Sequence, residues 1–228
     1  MYKFLFILLY TLITFYSEIS SQSILPKLAK EGNLDGIKRH LKMGKSINEL
    51  WKDSQDNCFN GLMKAKTLEI AQFFVDSGID LNYQIPEGEG CSNEGVTALY
   101  VQSYLGNTNI VEYLISQGAK MNLGEYSCSP LWIASSNGDL PMVQLLIQKG
   151  SDVNHTCGPI NLGMTPLHIA AKEGWIEIVK YLIEKKADYN RVDNAGFAPL
   201  DYAISEDRSP VKYYLRQIKA KQNRPQEF

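Results

Sequence analysis

A glycine followed four positions later by an asparagine recurs along this chain of 228 residues. Four copies have that form and a fifth carries lysine in the glycine position: Gly44–Asn48, Gly78–Asn82, Gly118–Asn122, Gly150–Asn154 and Lys186–Asn190. By subtraction, successive asparagines lie 34, 40, 32 and 36 residues apart. Self-similarity at this period is typical of stacked repeat proteins, in which each repeat buries its apolar face against its neighbours and the stack presents an extended surface.

The clearest copy runs from Gly163 to Asn190 and predicts two short helices joined by a turn. Its apolar residues have helical spacing, with one group for each helix: Leu167, Ala170 and Ala171, then Ile178, Leu182 and Ile183. Thr165 is suited to cap the first helix, and Pro166 fits its first position, where a missing N–H does no harm. Gly174 can end that helix in a left-handed conformation.

The run Thr165-Pro166-Leu167-His168-Ile169-Ala170 closely resembles the signature of the ankyrin repeat family, Thr-Pro-Leu-His-x-Ala. The resemblance extends from about Ile24 to Ile218. It implies an all-α fold, an ankyrin-repeat solenoid of about six helix-turn-helix units with projecting hairpin loops. The expected ankyrin repeat domain is 24–218, with a polar C-terminal tail at 219–228, and its repeats lie near 24–55, 56–84, 85–122, 123–154, 155–190 and 191–218.

The second and sixth repeats depart from the pattern. The second begins its first helical segment at Leu62 and lacks about three residues between its two helices. The sixth lacks the closing glycine and asparagine. A polar last helix in that position suits a terminal repeat, which has one face in solvent.

Residues Met1–Ser23 lie outside the repeats and have the layout of a secretory signal peptide. Lys3 precedes a mostly apolar run of 13 residues, Phe4–Tyr16, and Ser21–Ser23 provides a small-x-small cleavage site. The alternative is a membrane anchor, but a helix of that run reaches only about 20 Å, against roughly 30 Å of hydrocarbon. The chain is therefore expected to be secreted or periplasmic, with no membrane span after cleavage.

Four cysteines accompany this leader, and an even number in an exported chain favours disulfide bonds. In an ankyrin stack the loops of successive repeats are adjacent, so the resemblance implies the pairs Cys58–Cys91 and Cys128–Cys157. Cys91 and Cys157 each lie in an enlarged loop, at 84–95 and 155–163, that can reach back to the preceding repeat. The alternatives are a zinc site, which the spacing does not favour, and four free thiols.

Catalytic and cofactor chemistry is not predicted, and the chain is not expected to be an enzyme. The three histidines, His40, His155 and His168, form no row across the repeats. His168 occupies the signature histidine position, where the resemblance implies a ring hydrogen-bonded to loop backbone. His40 is expected on the surface of the first repeat's second helix. No metal site or cofactor is expected. No nucleic-acid partner is expected either, since the formal net charge is −2 and basic residues are scattered apart from the C-terminal tail.

A protein partner is expected at the loop tips and the inner helix face, the surfaces that ankyrin proteins use for binding. Transferring these positions to the chain gives the candidate protein-binding residues Trp51, Tyr104, Leu105, Tyr126, Met164, Lys172, Glu173 and Phe197. Tyr104 and Leu105 stand where ankyrin repeats normally carry polar residues, and aromatic side chains frequently anchor interfaces. The alternative is that both pack beneath the enlarged loop at 84–95 as local core.

These features predict a non-catalytic, monomeric protein-binding module that acts outside the cytoplasm, with an inhibitor or immunity factor as one form of it. The alternative function is a structural scaffold in the cell envelope or in stress defence, without a single high-affinity partner.

Overall fold

The computed structural model describes residues 24–86, 88, 90–123, 128–158 and 163–222. The predicted signal peptide, Tyr126 and the end of the polar tail lie outside these residues. The described chain forms two compact units, an N-terminal unit at 24–79 and a C-terminal unit from residue 80 onward. Among the described residues, helices dominate and one short hairpin is present, so the predicted all-α ankyrin solenoid is confirmed.

The N-terminal unit holds the first repeat and most of the second. Its helices are α1 (Leu25–Glu31), α2 (Leu34–Lys42) and α3 (Leu68–Asp76). Strands β1 (Trp51–Lys52) and β2 (Cys58–Phe59) pair antiparallel, with Trp51 opposite Phe59. Buried side chains from all three helices form the core of this unit, among them Leu25, Ile37 and Phe74.

In its described residues, the C-terminal unit repeats one arrangement four times, a first helix followed by a second. The helices are α4 (Ala98–Tyr104), α5 (Thr108–Ser116), α6 (Pro130–Asn137), α7 (Leu140–Gln148), α8 (Pro166–Glu173), α9 (Ile176–Glu184), α10 (Pro199–Ser205) and α11 (Ser209–Gln217). The first helices pack side by side, α4 on α6, α6 on α8 and α8 on α10. Each first helix also packs against the second helix of its own repeat.

The helix ends follow the predicted capping chemistry. The side chain of Thr165 accepts a hydrogen bond from the backbone of His168, Pro166 is the first residue of α8, and Gly174 ends α8 at φ 90°. Thr97 and Ser129 cap α4 and α6 in the same way. These interactions satisfy backbone N–H groups that a helix start leaves without partners.

The recurring glycine and asparagine have separate roles that together explain their fixed spacing. Each glycine follows a second helix with a positive φ, as at Gly118 (93°) and Gly150 (98°). Three of the asparagines bond to the segment that follows their repeat: the side-chain oxygens of Asn82, Asn154 and Asn190 accept from the backbone N–H groups of Lys120, Asp188 and Lys221, each at 2.8 Å. The motif therefore ends one repeat and fixes its register against the next.

The second repeat differs from the expected helix pair, because residues 61–64 form a turn instead of a first helix. The side chain of Asn60 accepts a hydrogen bond from the backbone of Met63 at 3.0 Å and holds this turn. A Cβ atom at Gly61 would lie 2.3 Å from the Phe74 ring. The missing residues thus bring the turn directly onto α3, which leaves no room for a helix.

Lys186, which replaces glycine in the fifth copy, also adopts a positive φ of 72°. A side chain in this left-handed region is strained, and glycine relieves the strain. We expect Lys186→Gly to raise the free energy of unfolding by roughly 0.5–1 kcal/mol, measured by urea denaturation. Lys185→Gly is the matched control, because Lys185 has a φ of −85° and glycine there should destabilise. Equal effects of the two changes would contradict this account.

Candidate functional site

Two adjacent apolar side chains project from the end of α4. Tyr104 is 56% exposed and Leu105 is 50% exposed. The corresponding residues at the ends of α6 and α8 are Ser136 with Asn137 and Lys172 with Glu173. The interpretation that Tyr104 and Leu105 pack beneath the 84–95 loop as local core is therefore wrong, since half of each side chain faces solvent.

Hydrogen bonds between repeats connect this position to the two repeats that follow. The Asn137 amide donates to the backbone oxygen of Tyr104 at 3.1 Å. The Trp175 indole N–H donates to the backbone oxygen of Ser136 at 2.9 Å. We name the surface formed by Tyr104, Leu105, Asn137 and Trp175 the aromatic ledge. Its backbone is fixed by these bonds, so its exposed side chains are presented from a rigid support.

Trp175 was not among the residues predicted from the sequence. It is 42% exposed, and its ring lies directly over Gly138, where an added Cβ would come within 2.7 Å of the indole. The sequence signal that could have identified Trp175 is its position, directly after the glycine that ends a first helix. That position holds Asn33, Asn107 and Asp139 in other repeats, and a tryptophan there is conspicuous.

Two predicted residues lie beside the aromatic ledge, at the end of α8. Lys172 and Glu173 are both partly exposed. The backbone oxygen of Lys172 accepts from the Arg208 guanidinium at 2.8 Å, the same inter-repeat contact one repeat further along. These two side chains therefore extend the aromatic ledge with a charged margin.

Phe197 and Met164 are less exposed than Tyr104 and Leu105 and so are less available to a partner. The Phe197 ring is partly buried against Tyr202, with 5.9 Å between ring centroids. Met164 is only 5% exposed and belongs to a buried cluster with Cys128, Trp132 and Cys157. Met164 therefore does not line an open surface, because it is buried among these side chains. Tyr126 lies outside the described residues.

Trp51 belongs to the N-terminal unit, where it is partly buried in β1. Its ring lies 6.3 Å from that of Phe59, and the Lys64 ammonium is 3.3 Å from the centre of the Phe59 ring. Burial, together with the charge of Lys30, lowers the pKa of Lys64. Trp51 therefore supports a hairpin, and only part of it faces solvent.

The cysteines are oxidised, so the expectation of a disulfide-containing chain is confirmed. Cys128, just before α6, is bonded to Cys157 in the loop before α8. Cys58 and Cys91 are also disulfide-bonded, and no cysteine is free in the described part of the chain. The pairing of Cys58 with Cys91 stays a prediction.

The histidines have structural surroundings. His168 Nδ1 accepts from the backbone N–H of Thr165 at 3.2 Å, so Nε2 carries the proton and donates to the Phe197 oxygen at 3.1 Å. Burial lowers the pKa of His168, which keeps the ring neutral. The predicted bond to loop backbone is thus confirmed. The surface position expected for His40 is wrong: this residue is 6% exposed, and its Nε2 lies 2.9 Å from the Glu49 carboxylate.

A second hydrogen-bond network, partly buried, lies at the start of the last repeat. Asp193 accepts from the backbone N–H groups of Ala195 and Phe197, each at 2.9 Å, and from the Tyr202 hydroxyl at 2.5 Å. Burial and this bond raise the pKa of Tyr202.

Within the described residues, no group of three or more histidine, cysteine or acidic side chains is placed to hold a metal ion. The same residues include no helix long and apolar enough to cross a membrane.

Comparison with known proteins agrees with the stacked architecture. The ankyrin repeats family, as three-copy arrays, matches residues 59–157 and 131–225. The chain belongs to the ankyrin repeat family. Ankyrin repeats are protein-binding modules, and this agrees with an extended surface formed by successive helix ends.

Two curated relatives share part of this sequence. The glycerophosphocholine phosphodiesterase GDE1 of Candida albicans is 30% identical over 125 residues, which cover 52% of this chain and 10% of that protein. The protein of the same name from Eremothecium gossypii is 40% identical over 76 residues, covering 32% of this chain and 5% of that protein. The chain thus spans a tenth or less of these relatives, and the likeness is confined to that part of each.

Proposed function

We propose that this ankyrin repeat chain is a non-catalytic module that binds a protein partner outside the cytoplasm through the aromatic ledge. The observation that carries the proposal is the exposure of Tyr104 and Leu105 on a backbone fixed by inter-repeat bonds. Large, rigid side chains of this kind provide contact area at a small entropic cost. Trp175, which is exposed two repeats further on, enlarges the apolar part of the same surface.

The proposed compartment rests on two supports. The disulfide bonds are stable where the surroundings are oxidising. The sequence of Met1–Ser23 also has the pattern of a cleavable export signal. Secretion or periplasmic localisation accounts for both features.

Within this proposal, inhibition of a single client protein is favoured over a scaffold role. A rigid ledge of apolar and uncharged polar residues suits a stable one-to-one complex, because its groups are already ordered before binding. An inhibitor or immunity factor binds in this way. A scaffold without a single client would show no saturable stoichiometric complex.

Affinity capture with the oxidised chain, from the extracytoplasmic fraction of its source, tests the proposal. We expect one stoichiometric partner, and we expect Tyr104→Glu to weaken its binding at least about thirty-fold, as for an interface residue worth about 2 kcal/mol. Because Tyr104 is exposed, the thermal midpoint of the variant should stay close to that of the original chain.

Tyr213→Glu is the matched control. Tyr213 is 65% exposed on α11, outside the aromatic ledge, and the substitution introduces the same charge. We expect this control to retain the partner. Equal loss in both variants would contradict binding through the aromatic ledge, and the absence of any stoichiometric partner with folded protein would favour the scaffold.

A further inference from the structure

The N-terminal unit contains an open cavity of about 630 Å³ on the side of α2 and α3. Its lining combines three lysines with an apolar floor and one hydroxyl: Lys38, Lys42, Lys45, Leu41, Ile47, Phe73 and Ser77. Among the described residues, no acidic side chain is part of this lining. The cavity shares no lining residue with the aromatic ledge, whose residues all belong to the C-terminal unit.

The lysines converge because of helical spacing. Lys38 and Lys42 are four residues apart on α2, so their side chains project from one face of that helix. Lys45 follows just after the helix has ended. All three are exposed, and none forms an ion pair within the described part of the chain. Three like charges therefore share one cavity without neutralisation.

The floor of the cavity is apolar. Leu41, Ile47 and Phe73 are all partly exposed there, although other residues of α2 and α3 are fully buried. The Lys38 ammonium lies 5.7 Å from the centre of the Phe73 ring, so charge and apolar surface are in direct proximity. Met43, which is 69% exposed and follows Lys42, adds apolar surface next to the cavity.

The helix dipole accounts for only part of this arrangement. Lys42 lies in the last turn of α2, where a positive charge stabilises the helix end. Lys38 lies a full turn earlier and Lys45 lies beyond the helix, where this effect has fallen off. The exposed apolar floor has no explanation in the dipole at all.

We propose that this cavity binds a small amphiphilic anion, a phosphate or carboxylate group joined to an apolar chain. The ammonium groups of Lys38, Lys42 and Lys45 would hold the anionic group, and their mutual repulsion would be relieved by its charge. The apolar chain would cover Leu41, Ile47 and Phe73, removing their surface from water. This assignment does not depend on the protein partner proposed above.

Dodecyl phosphate, used below the concentration at which it forms micelles, is the probe for calorimetric titration of the full oxidised chain. We expect saturable binding with one molecule per chain, weakened by added salt because the lysines are exposed. Inorganic phosphate tests whether binding requires the apolar dodecyl group, and dodecyl maltoside tests whether binding requires the negative charge. Each should bind at least about ten-fold more weakly than dodecyl phosphate.

Paired charge reversals locate the site. Lys42→Glu with Lys45→Glu should weaken dodecyl phosphate binding at least about ten-fold. Lys27→Glu with Lys66→Glu is the matched control, because both residues are exposed in the same unit, lie outside the cavity and change the net charge equally. Circular dichroism of both variants verifies that they are folded.

Four outcomes of the titrations with soluble ligands would overturn the assignment. These are the absence of saturable binding, equal binding of dodecyl maltoside, equal weakening by the control pair, and unchanged binding in the Lys42 and Lys45 variant. Binding to vesicles containing anionic lipid without binding of monomeric dodecyl phosphate would also overturn it, in favour of a membrane-surface contact.

Discussion

Replacing Cys128 and Cys157 together with alanine should lower the free energy of unfolding by roughly 3–4 kcal/mol. The bond closes a loop over a sequence separation of 29 residues, so its loss gives the unfolded chain more freedom. Alanine is preferred to serine because both positions are buried in an apolar cluster, where a hydroxyl would add its own desolvation penalty. Urea denaturation followed by circular dichroism measures the change.

Reduction provides the control for this experiment. In the presence of a thiol reductant the original chain also loses its disulfide constraint, so the difference between the two proteins should largely disappear. Unfolding of the variant at the same urea concentration as the original chain, without reductant, would contradict a stabilising role for the bond.

The sequence predicted the features that depend on neighbouring residues. Thr165, Pro166 and Gly174 act on backbone groups within a few positions of themselves, so their chemistry is readable without a structure. The spacing of apolar residues likewise indicated which faces of the helices are buried. Family resemblance added the stacking of loops, and with it the expectation that Cys157 reaches back to Cys128.

The features that the sequence did not predict depend on contacts across a whole repeat. The acceptor at Asn154 serves an N–H group 34 residues away, so the repeating asparagine gave a period but not its cause. Met164 has the sequence context of a surface residue, yet the disulfide and Trp132 bury it. Trp175 lies on the aromatic ledge because it contacts the repeat before its own.

The second repeat has a turn where the sequence predicted its first helix. Leu62, Met63 and Ala65 are apolar and suit a helix, and each of them is buried in the structure. A shortened connection nevertheless places Gly61 against Phe74, and a turn meets the same burial requirement. Hydrophobic positions thus predicted which residues face the core but not the backbone conformation that brings them there.

Gly138→Ala should lower the free energy of unfolding by roughly 2–4 kcal/mol, combining two effects. Gly138 has a φ of 76°, so any side chain there is strained by about 1–2 kcal/mol. The added Cβ would also lie 2.7 Å from the Trp175 ring, which must move and give up its hydrogen bond to Ser136. Urea denaturation of the oxidised protein measures the sum.

Gly118→Ala separates the two effects, because Gly118 has a φ of 93° and no atom of the described residues lies within 4 Å of an added Cβ. It should lower the free energy of unfolding by only about 1–2 kcal/mol, the backbone strain alone. In a Trp175→Ala background, Gly138→Ala should fall to that same value, since the ring that it displaces is gone. Equal effects of Gly138→Ala and Gly118→Ala in the original chain would mean that Trp175 does not couple the two repeats. The aromatic ledge would then lack the rigid support on which its proposed affinity rests.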